Sequence, residues 1–157
     1  MKAAERTNVM RVLDQKKIPY TPHTYEQDPA MTGVEIAHIL NEDPSHVFKT
    51  LVTQGKSAKY YVFVIPVEAE LDLKKAASVA GEKAVAMIKQ KELLPLTGYV
   101  HGGCSPIGMK KPFPTFIHET AKEYDKMFVS AGKLGFQIEL APDDLAATVG
   151  CGFADLV

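Results

Sequence analysis

Two neighbouring β-prone runs constrain the fold of this chain more than any other feature. Residues 47–53 (VFKTLVT) and 59–65 (KYYVFVI) are rich in β-branched and aromatic side chains and are joined by residues 54–57 (QGKS), so we predict a β-hairpin. The second run is almost continuously apolar, which is typical of a strand that is buried on both faces. We therefore expect a central strand in a sheet that other elements cover on both sides.

Capping and turn residues place further elements around this hairpin. Thr32 and Glu35 have the spacing of a helix capping box, and Asp72 and Gly81 stand where an N-cap and a left-handed C-cap would enclose a helix. We predict a first helix ending near Lys17, a helix from the capping box through Leu40, a brief helical start at Asp43-Pro44, helices over 73–80 and 89–94, and a last helix that begins at Pro142. We also predict an edge strand over 20–25 and short strands over 99–101, 115–118, 127–130 and 136–140. These elements predict a single α+β domain over residues 1–157, with a mixed sheet wrapped by helices.

The composition is that of an ordinary globular protein and gives no overall signal for a polyanionic partner. The chain has 157 residues, of which 46% are apolar and 24% charged, and its formal net charge is −1. Lysines are frequent between Lys74 and Lys133, which permits a local basic face, although solvated surface lysines explain the same pattern. Any contact with RNA must therefore be local.

The cysteines and the apolar runs argue against an extracellular, membrane or metal-binding protein. Cys104 and Cys151 lie far apart and outside any CxxC pair, so neither a disulfide scaffold nor a zinc site is expected. No stretch approaches the roughly 20 apolar residues of a membrane span, and the opening MKAAERTNVMRVL has no long apolar core. We expect a cytoplasmic protein without a metal or a cofactor.

Familiar catalytic motifs are incomplete in this sequence. Residues 103–108 have the glycine spacing of a phosphate loop, but the Lys-Ser/Thr pair that should follow is missing. Residues 150–152 lack the third glycine of a dinucleotide fingerprint, and Lys122 replaces the second histidine of an HExxH motif that would begin at His118. Cys104 is interpreted as a small packed residue, so the chain offers no obvious nucleophile of its own.

Lys49 and two glycine-rich turns are the remaining candidates for a ligand site. Lys49 interrupts an apolar strand whose residues Val47 and Leu51 share its face. Either its stem packs and its ammonium reaches water, or it lines a cleft where an anionic or carbonyl-bearing ligand compensates its desolvation. The turns at 102–108 and 130–133 allow close backbone approach to a ligand, although tight turns explain their small residues equally well.

Six segments of the chain, taken in order, carry a family resemblance. They are 23–29 (HTYEQDP), 47–51 (VFKTL), 71–75 (LDLKK), 97–111 (TGYVHGGCSPIGMKK), 128–133 (FVSAGK) and 153–155 (FAD). In order and spacing the chain resembles the YbaK/EbsC family of trans-editing proteins, relatives of the editing domain of bacterial prolyl-tRNA synthetases. The resemblance runs nearly from end to end and implies a mixed sheet wrapped by helices.

The resemblance also implies a reaction and a set of site residues. A cleft would receive the aminoacylated 3′ end of tRNA and cut the ester between the amino acid and the terminal ribose, without a metal. The lysine of the Lys-Thr-Leu motif maps onto Lys49, which is implied as the catalytic residue. Substrate-binding roles are implied for Tyr25, Thr50, Gly102, Gly103 and Ser130.

The resemblance leaves alternative substrates and functions open. In cysteine-specific members the substrate's own thiol attacks its ester, which implies Cys-tRNA(Pro) as substrate and prolyl-tRNA synthetase as the partner that selects the tRNA. Gln137 stands where such members often carry an aspartate, so a deacylase for Ala-tRNA or another small aminoacyl-tRNA is an alternative. A non-catalytic tRNA- or synthetase-binding module is a third possibility, which the presence of Lys49, Gly102 and Ser130 disfavours.

Overall fold

The structure is a computed structural model and describes residues 6–28 and 30–157. Residues 1–5 of the opening segment and Pro29, which ends the first family motif, lie outside the described residues. The helices are α1 (Asn8–Gln15), α2 (Gly33–Ile39), α3 (Leu73–Ala80), α4 (Gln90–Thr97) and α5 (Pro142–Val149), with a 3₁₀ helix at Glu119–Glu123. The strands are β1 (Thr21–Thr24), β2 (Phe48–Gly55), β3 (Tyr60–Pro66), β4 (Val85–Met87), β5 (Thr115–His118), β6 (Met127–Ser130), β7 (Phe136–Leu140) and β8 (Gly152–Ala154). Within the described residues, every helix is too short or too polar to cross a bilayer.

The strands form two sheets that meet at one point. A five-stranded sheet has the order β4-β2-β3-β5-β8 and is mixed, because β2 and β3 are antiparallel whereas β3, β5 and β8 are parallel. A three-stranded antiparallel sheet has the order β1-β7-β6, and a parallel bridge between Val47 and Phe128 joins the start of β2 to β6. The expected α+β fold with a mixed sheet is confirmed, while the second sheet was not anticipated.

The predicted hairpin forms the centre of the mixed sheet. β2 and β3 pair from Phe48↔Pro66 to Gln54↔Tyr60. Alternate residues of β3 enter two different apolar clusters, with Val62 and Val64 in one and Phe63 and Ile65 in the other. Because side chains alternate between the faces of a strand, β3 is buried on both sides, as its sequence predicted.

The predicted capping box of α2 and the two predicted caps of α3 are present. The Thr32 hydroxyl accepts the Glu35 amide at 3.2 Å and the Glu35 carboxylate accepts the Thr32 amide at 3.1 Å. The Asp72 carboxylate accepts hydrogen bonds from two backbone amides in the first turn of α3, and Gly81 ends that helix with φ of 75°. Each N-cap contributes about 1 kcal/mol, so local sequence fixes where α2 and α3 begin.

The strand predicted over 99–101 is wrong. Gly98 and Gly102 have φ of 85° and 87°, and this left-handed backbone interrupts an extended run at both ends. Tyr99 is buried, and its hydroxyl donates to the carbonyl of Ile107. The segment is therefore a compact loop whose aromatic residue anchors it to the core.

The helical start predicted at Asp43-Pro44 is also wrong. Residues 44–46 form a turn, in which the Asp43 carboxylate accepts both the amide of Ser45 at 2.9 Å and its hydroxyl at 2.7 Å. An aspartate that bonds to the backbone two residues later forms an Asx-turn, which competes with a helix cap. The three-residue strands β4 and β8 were not predicted, because three residues are too few for a hydrophobic pattern to be read.

Candidate functional site

The two sheets diverge beyond the Val47–Phe128 bridge and enclose a cavity between them. β2 pairs with β4 only from Thr53 onward, so among the described residues 49–51 have a paired strand on one side only. The cavity, of about 350 Å³, lies at this open edge. Its volume falls in the range of small-molecule sites.

The cavity brings together five of the six residues that the resemblance implied. Tyr25, Lys49, Thr50, Gly102 and Ser130 all line it. Much of the remaining wall is apolar, with contributions from Met31, Ile36, Val47, Phe48, Leu51, Val67, Leu93, Val129 and Phe136. The sixth residue, Gly103, is buried and does not belong to the wall.

Among the described residues, Lys49 is the one lysine, arginine, aspartate or glutamate in this wall, which also contains the imidazole of His101. Lys49 is half-buried, and burial lowers its pKa, an effect that the Glu70 carboxylate opposes. The side chain therefore lies at a cleft, and compensation of its burial by a ligand stays a prediction. A partly desolvated ammonium interacts more strongly with negative charge than one in bulk water.

Two hydroxyl groups in the wall retain hydrogen-bonding capacity. Thr50 Oγ1 is buried and has no hydrogen-bond partner among the described residues. Ser130 Oγ accepts a hydrogen bond from the Gly132 amide at 3.1 Å. This bond orients the serine side chain and leaves the hydroxyl hydrogen available for an acceptor. A buried hydroxyl without a partner costs about 1–3 kcal/mol, which a ligand bound to it would offset.

The turn at Gly102-Gly103 lies tightly against the loop that follows β6. Gly102 has φ of 87°, and a Cβ there would lie 2.9 Å from Cδ2 of Leu134. A Cβ on Gly103 would lie 3.1 Å from the backbone nitrogen of Leu134. The Gly103 amide donates to the carbonyl of Val100 at 3.0 Å, so it is already used inside the turn, whose residues His101 and Gly102 line the wall.

Tyr25 reaches the wall from the end of β1. Its amide donates to the carbonyl of Gly135 at 2.9 Å, which extends the pairing of β1 with β7 by one residue. Burial raises the pKa of its phenol. The hydroxyl is therefore protonated at neutral pH and can both donate and accept a hydrogen bond.

Parts of the wall were not predicted from the sequence. Cys104 lines the cavity, and burial raises the pKa of its thiol to about 12, which makes it a poor nucleophile at neutral pH. The segment around Met31 and Gly33 enters the wall because α2 begins close to β3, where a Cβ on Gly33 would lie 2.6 Å from Cγ1 of Val67. The capping box predicted this helix, but no sequence signal tells which cavity it borders.

Gln137 completes the wall and is held by a buried carboxyl group. Ser130, Gln137 and His23 are direct register partners across β6, β7 and β1, so their side chains share one face of the sheet. Gln137 is 4% exposed, and its Nε2 donates to Oε1 of Glu42 at 3.0 Å. Burial raises the pKa of Glu42, a residue that no motif singled out.

A second depression, of about 550 Å³, lies beside α1 and contains none of the implied residues. Its walls include Arg6 and Asp14, which are exposed and form an ion pair with each other. Among the described residues, no three His, Cys, Asp or Glu side chains are placed to hold a metal ion. The cavity at Lys49 is therefore the candidate site.

Comparison with known proteins identifies the class of protein that this fold and cavity define. A model of the aminoacyl-tRNA editing domain family matches residues 27–148. The chain belongs to this family, and the resemblance to the YbaK/EbsC proteins is confirmed.

Individual relatives cover between 78% and 99% of the chain. The sequence is 44% identical to EbsC of Enterococcus faecalis, named as a candidate Cys-tRNA(Pro)/Cys-tRNA(Cys) deacylase, over 99% of this chain and 95% of EbsC. It is 28% identical to the uncharacterized protein YwhH of Bacillus subtilis, over 78% of this chain and 73% of YwhH. Among solved structures, the hypothetical protein APE2540 has a TM-score of 0.86 at 22% identity, covering 94% of this chain and 97% of that one. A candidate trans-editing enzyme for prolyl-tRNA synthetase has a TM-score of 0.80 at 23% identity, covering 97% and 98%.

Proposed function

We propose that this protein is a trans-editing deacylase that hydrolyses the ester of misacylated tRNA, with Cys-tRNA(Pro) as its principal substrate. The observation that carries the proposal is the placement of Lys49, whose half-buried ammonium lines a largely apolar cavity of about 350 Å³ between the two sheets. The substrate class is supported by the 44% identity to EbsC, a candidate deacylase for Cys-tRNA(Pro) and Cys-tRNA(Cys).

In the proposed reaction, Lys49 binds the oxygen atoms on which negative charge develops. Charge appears on the carbonyl oxygen when the ester is attacked and on the ribose oxygen when it departs, and a positioned cation stabilises both. The Gly102 amide supplies a second donor. Tyr25, Thr50 and Ser130 hold the aminoacyl group and the terminal adenosine in a reactive orientation.

The attacking group in this proposal comes from the substrate. The thiol of Cys104 has a pKa of about 12 because it is buried. Ser130 Oγ accepts a hydrogen bond from the Gly132 amide, and an amide N–H cannot act as the base that would activate the serine hydroxyl. The cysteinyl sulfur attacks its own carbonyl carbon, the bond from that carbon to the ribose oxygen breaks, and the thiol proton ends on the ribose oxygen. Water then opens the resulting cyclic thioester to free cysteine.

The cavity also favours the reactive form of such a substrate. A neighbouring ammonium lowers the pKa of a thiol, and the thiolate is the nucleophilic species. Alanyl esters have no internal nucleophile, so their cleavage would need an attacking water. Lys49 therefore promotes the cleavage of cysteinyl esters in two ways, by activating the nucleophile and by stabilising the oxyanion.

The proposed partners are the 3′ end of aminoacyl-tRNA and prolyl-tRNA synthetase. A chain of net charge −1 has little overall attraction for RNA. Binding of the tRNA by the synthetase would raise its effective concentration at this protein and supply the discrimination between tRNAs. We place this reaction in the cytoplasm, where aminoacyl-tRNA is made and used.

The proposal is tested by measuring deacylation of tRNA(Pro) that carries different amino acids. Serine is close to cysteine in size and has a hydroxyl in place of the thiol, S-methylcysteine has the sulfur blocked by a methyl group, and alanine lacks an internal nucleophile. We expect rapid cleavage of the cysteinyl ester, slower cleavage of the seryl ester, and no acceleration for S-methylcysteine or alanine.

Other outcomes would assign the protein differently. Equal cleavage of the cysteinyl and S-methylcysteinyl esters would show that water attacks, and preference for the alanyl ester would make the protein an alanyl-tRNA deacylase. Binding of aminoacyl-tRNA without cleavage of any ester would contradict the enzymatic proposal and favour a binding module.

A further inference from the structure

The end groups of Glu42 and Gln137 leave two buried oxygen atoms unsatisfied. Gln137 Nε2 donates to Glu42 Oε1 at 3.0 Å. The other carboxyl oxygen of Glu42, Oε2, and the single amide oxygen of Gln137, Oε1, are both buried and have no hydrogen-bond partner among the described residues. Both atoms are acceptors when Glu42 is ionised, so neither can satisfy the other. Leaving two acceptors buried in this way opposes folding.

We propose that Glu42 carries a proton in the folded protein and forms a reciprocal acid–amide pair with Gln137. Gln137 donates Nε2–H to Glu42 Oε1, and Glu42 donates its Oε2–H to Gln137 Oε1. One proton thereby satisfies both of the unpaired oxygens. The two parallel hydrogen bonds fix the plane of the Gln137 amide, and Glu42 acts as a positioning residue behind the cavity wall.

The surroundings of Glu42 contain ionisable groups of both signs. Burial raises its pKa most strongly, and the Glu139 carboxylate on β7 acts in the same direction. The hydrogen bond from Gln137 and the imidazole of His23 on β1 act in the opposite direction. His23 Nε2 lies 2.9 Å from Glu139 Oε1, so each of these two groups partly compensates the other, and burial is left as the dominant influence.

Protonated Glu42 affects how the proposed deacylase binds its substrate, an effect that rests on the proposed function. Gln137 is the register partner of Ser130, so the locked amide lies beside a proposed substrate-binding hydroxyl. The wall at this point is neutral and rigid, which leaves Lys49 as the charge that orients the ester. Loosening the amide would weaken binding of the aminoacyl group more than it would slow the chemical step.

The protonation state is measured directly by nuclear magnetic resonance on the full chain. Protein labelled with ¹³C at the glutamate carboxyl groups is titrated, and the Glu42 signal is identified by its absence in the Glu42→Gln variant. We expect the Glu42 carbon to keep the chemical shift of a protonated carboxyl group at pH 7, where an exposed glutamate, with a pKa of about 4.3, is ionised. The chemical shift of an ionised carboxylate at pH 7 would overturn the proposal, and this readout does not depend on whether any tRNA is cleaved.

The positioning role is tested by kinetics of deacylation. Glu42→Gln preserves the two hydrogen bonds as an amide–amide pair and should keep kcat/KM within about twofold of the unmodified protein, whereas Glu42→Leu removes both and should raise KM about tenfold with little change in kcat. The exposed Glu123→Gln serves as the matched control. If Glu42→Gln loses as much as Glu42→Leu, the charge of Glu42 is required and the proposal is wrong. If the unmodified protein cleaves no ester, the proposed function fails, and the titration alone decides the pairing.

Discussion

Lys49 and Ser130 lie two residues beyond Val47 and Phe128, the two residues whose parallel bridge joins the sheets. From that bridge, β2 and β6 run in the same direction into the cavity, and both side chains line it. A single ligand between the sheets can therefore contact a cation from one sheet and a hydroxyl from the other. The site exists because the sheets separate after one bridge instead of continuing as a single sheet.

Replacing Lys49 by methionine should stabilise the protein while it removes activity. Burial lowers the pKa of Lys49, so the folded state binds a proton there less readily than the unfolded state. The unfolding free energy lost in this way is largest below the pKa of Lys49 in the folded state. The loss disappears as pH rises above the lysine pKa of about 10.4 in the unfolded state. Lys49→Met should therefore be more stable than the unmodified protein at pH 7, by an amount that shrinks as pH approaches about 10.

Urea unfolding at several pH values measures this difference. Lys56→Met, in the exposed turn between β2 and β3, is the matched control and should show no comparable gain. A Lys49→Met protein that is less stable than the unmodified one throughout this range would show that the ammonium is not penalised by burial.

Gly102→Ala should damage both stability and activity. Its φ of 87° disfavours any side chain, and a Cβ would lie 2.9 Å from Leu134. Gly150→Ala is a matched control, because Gly150 has φ of 75° and a Cβ there would meet nothing within 4 Å. Both variants should lose about 1–2 kcal/mol of unfolding free energy from the left-handed backbone, but only Gly102→Ala should lose deacylation. Equal activity in both variants would remove Gly102 from the site.

Cys104→Ala should retain deacylation within about threefold of the unmodified rate, because a thiol with a pKa of about 12 is almost entirely protonated at pH 7. Reaction of the folded protein with iodoacetamide should also be slow at this position. Loss of all activity in Cys104→Ala, with the fold intact by circular dichroism, would show that the enzyme's own thiol takes part in the reaction.

Ser130→Ala should lower kcat/KM about tenfold, since it removes a hydrogen bond to the substrate worth about 1.4 kcal/mol. It also removes the acceptor for the Gly132 amide, so a stability loss of about 1 kcal/mol is expected. Ser78→Ala, at an exposed position of α3, is the control. Unchanged steady-state kinetics in Ser130→Ala would exclude a substrate contact.

The elements that sequence predicted well are those fixed by local signals. The hairpin follows from two β-prone runs joined by a short turn, and α3 follows from Asp72 and Gly81 at its two ends. Such signals act within a few residues and do not depend on the rest of the fold. The loop at 99–101 was mistaken for a strand because its β-prone residues lie between two glycines with left-handed backbone.

The sequence predicted residues of the candidate site only where a family motif contains them. Lys49 and Ser130 lie in motifs that can be recognised, whereas Glu42 reaches Gln137 across 95 positions of the sequence. Contacts of that kind depend on how the segment between α2 and β2 packs against β7, which no local pattern encodes.

The role of Lys49 is measured by the rate of Cys-tRNA(Pro) deacylation by the unmodified protein and by Lys49→Met, with Lys56→Met as control. Loss of a positioned group that stabilises the oxyanion costs about 10²–10³ in rate. We expect the unmodified protein and Lys56→Met to cleave the ester at the same rate, and Lys49→Met to be at least about 100-fold slower. Cleavage by Lys49→Met at the unmodified rate would show that the Lys49 ammonium stabilises no charge in the reaction.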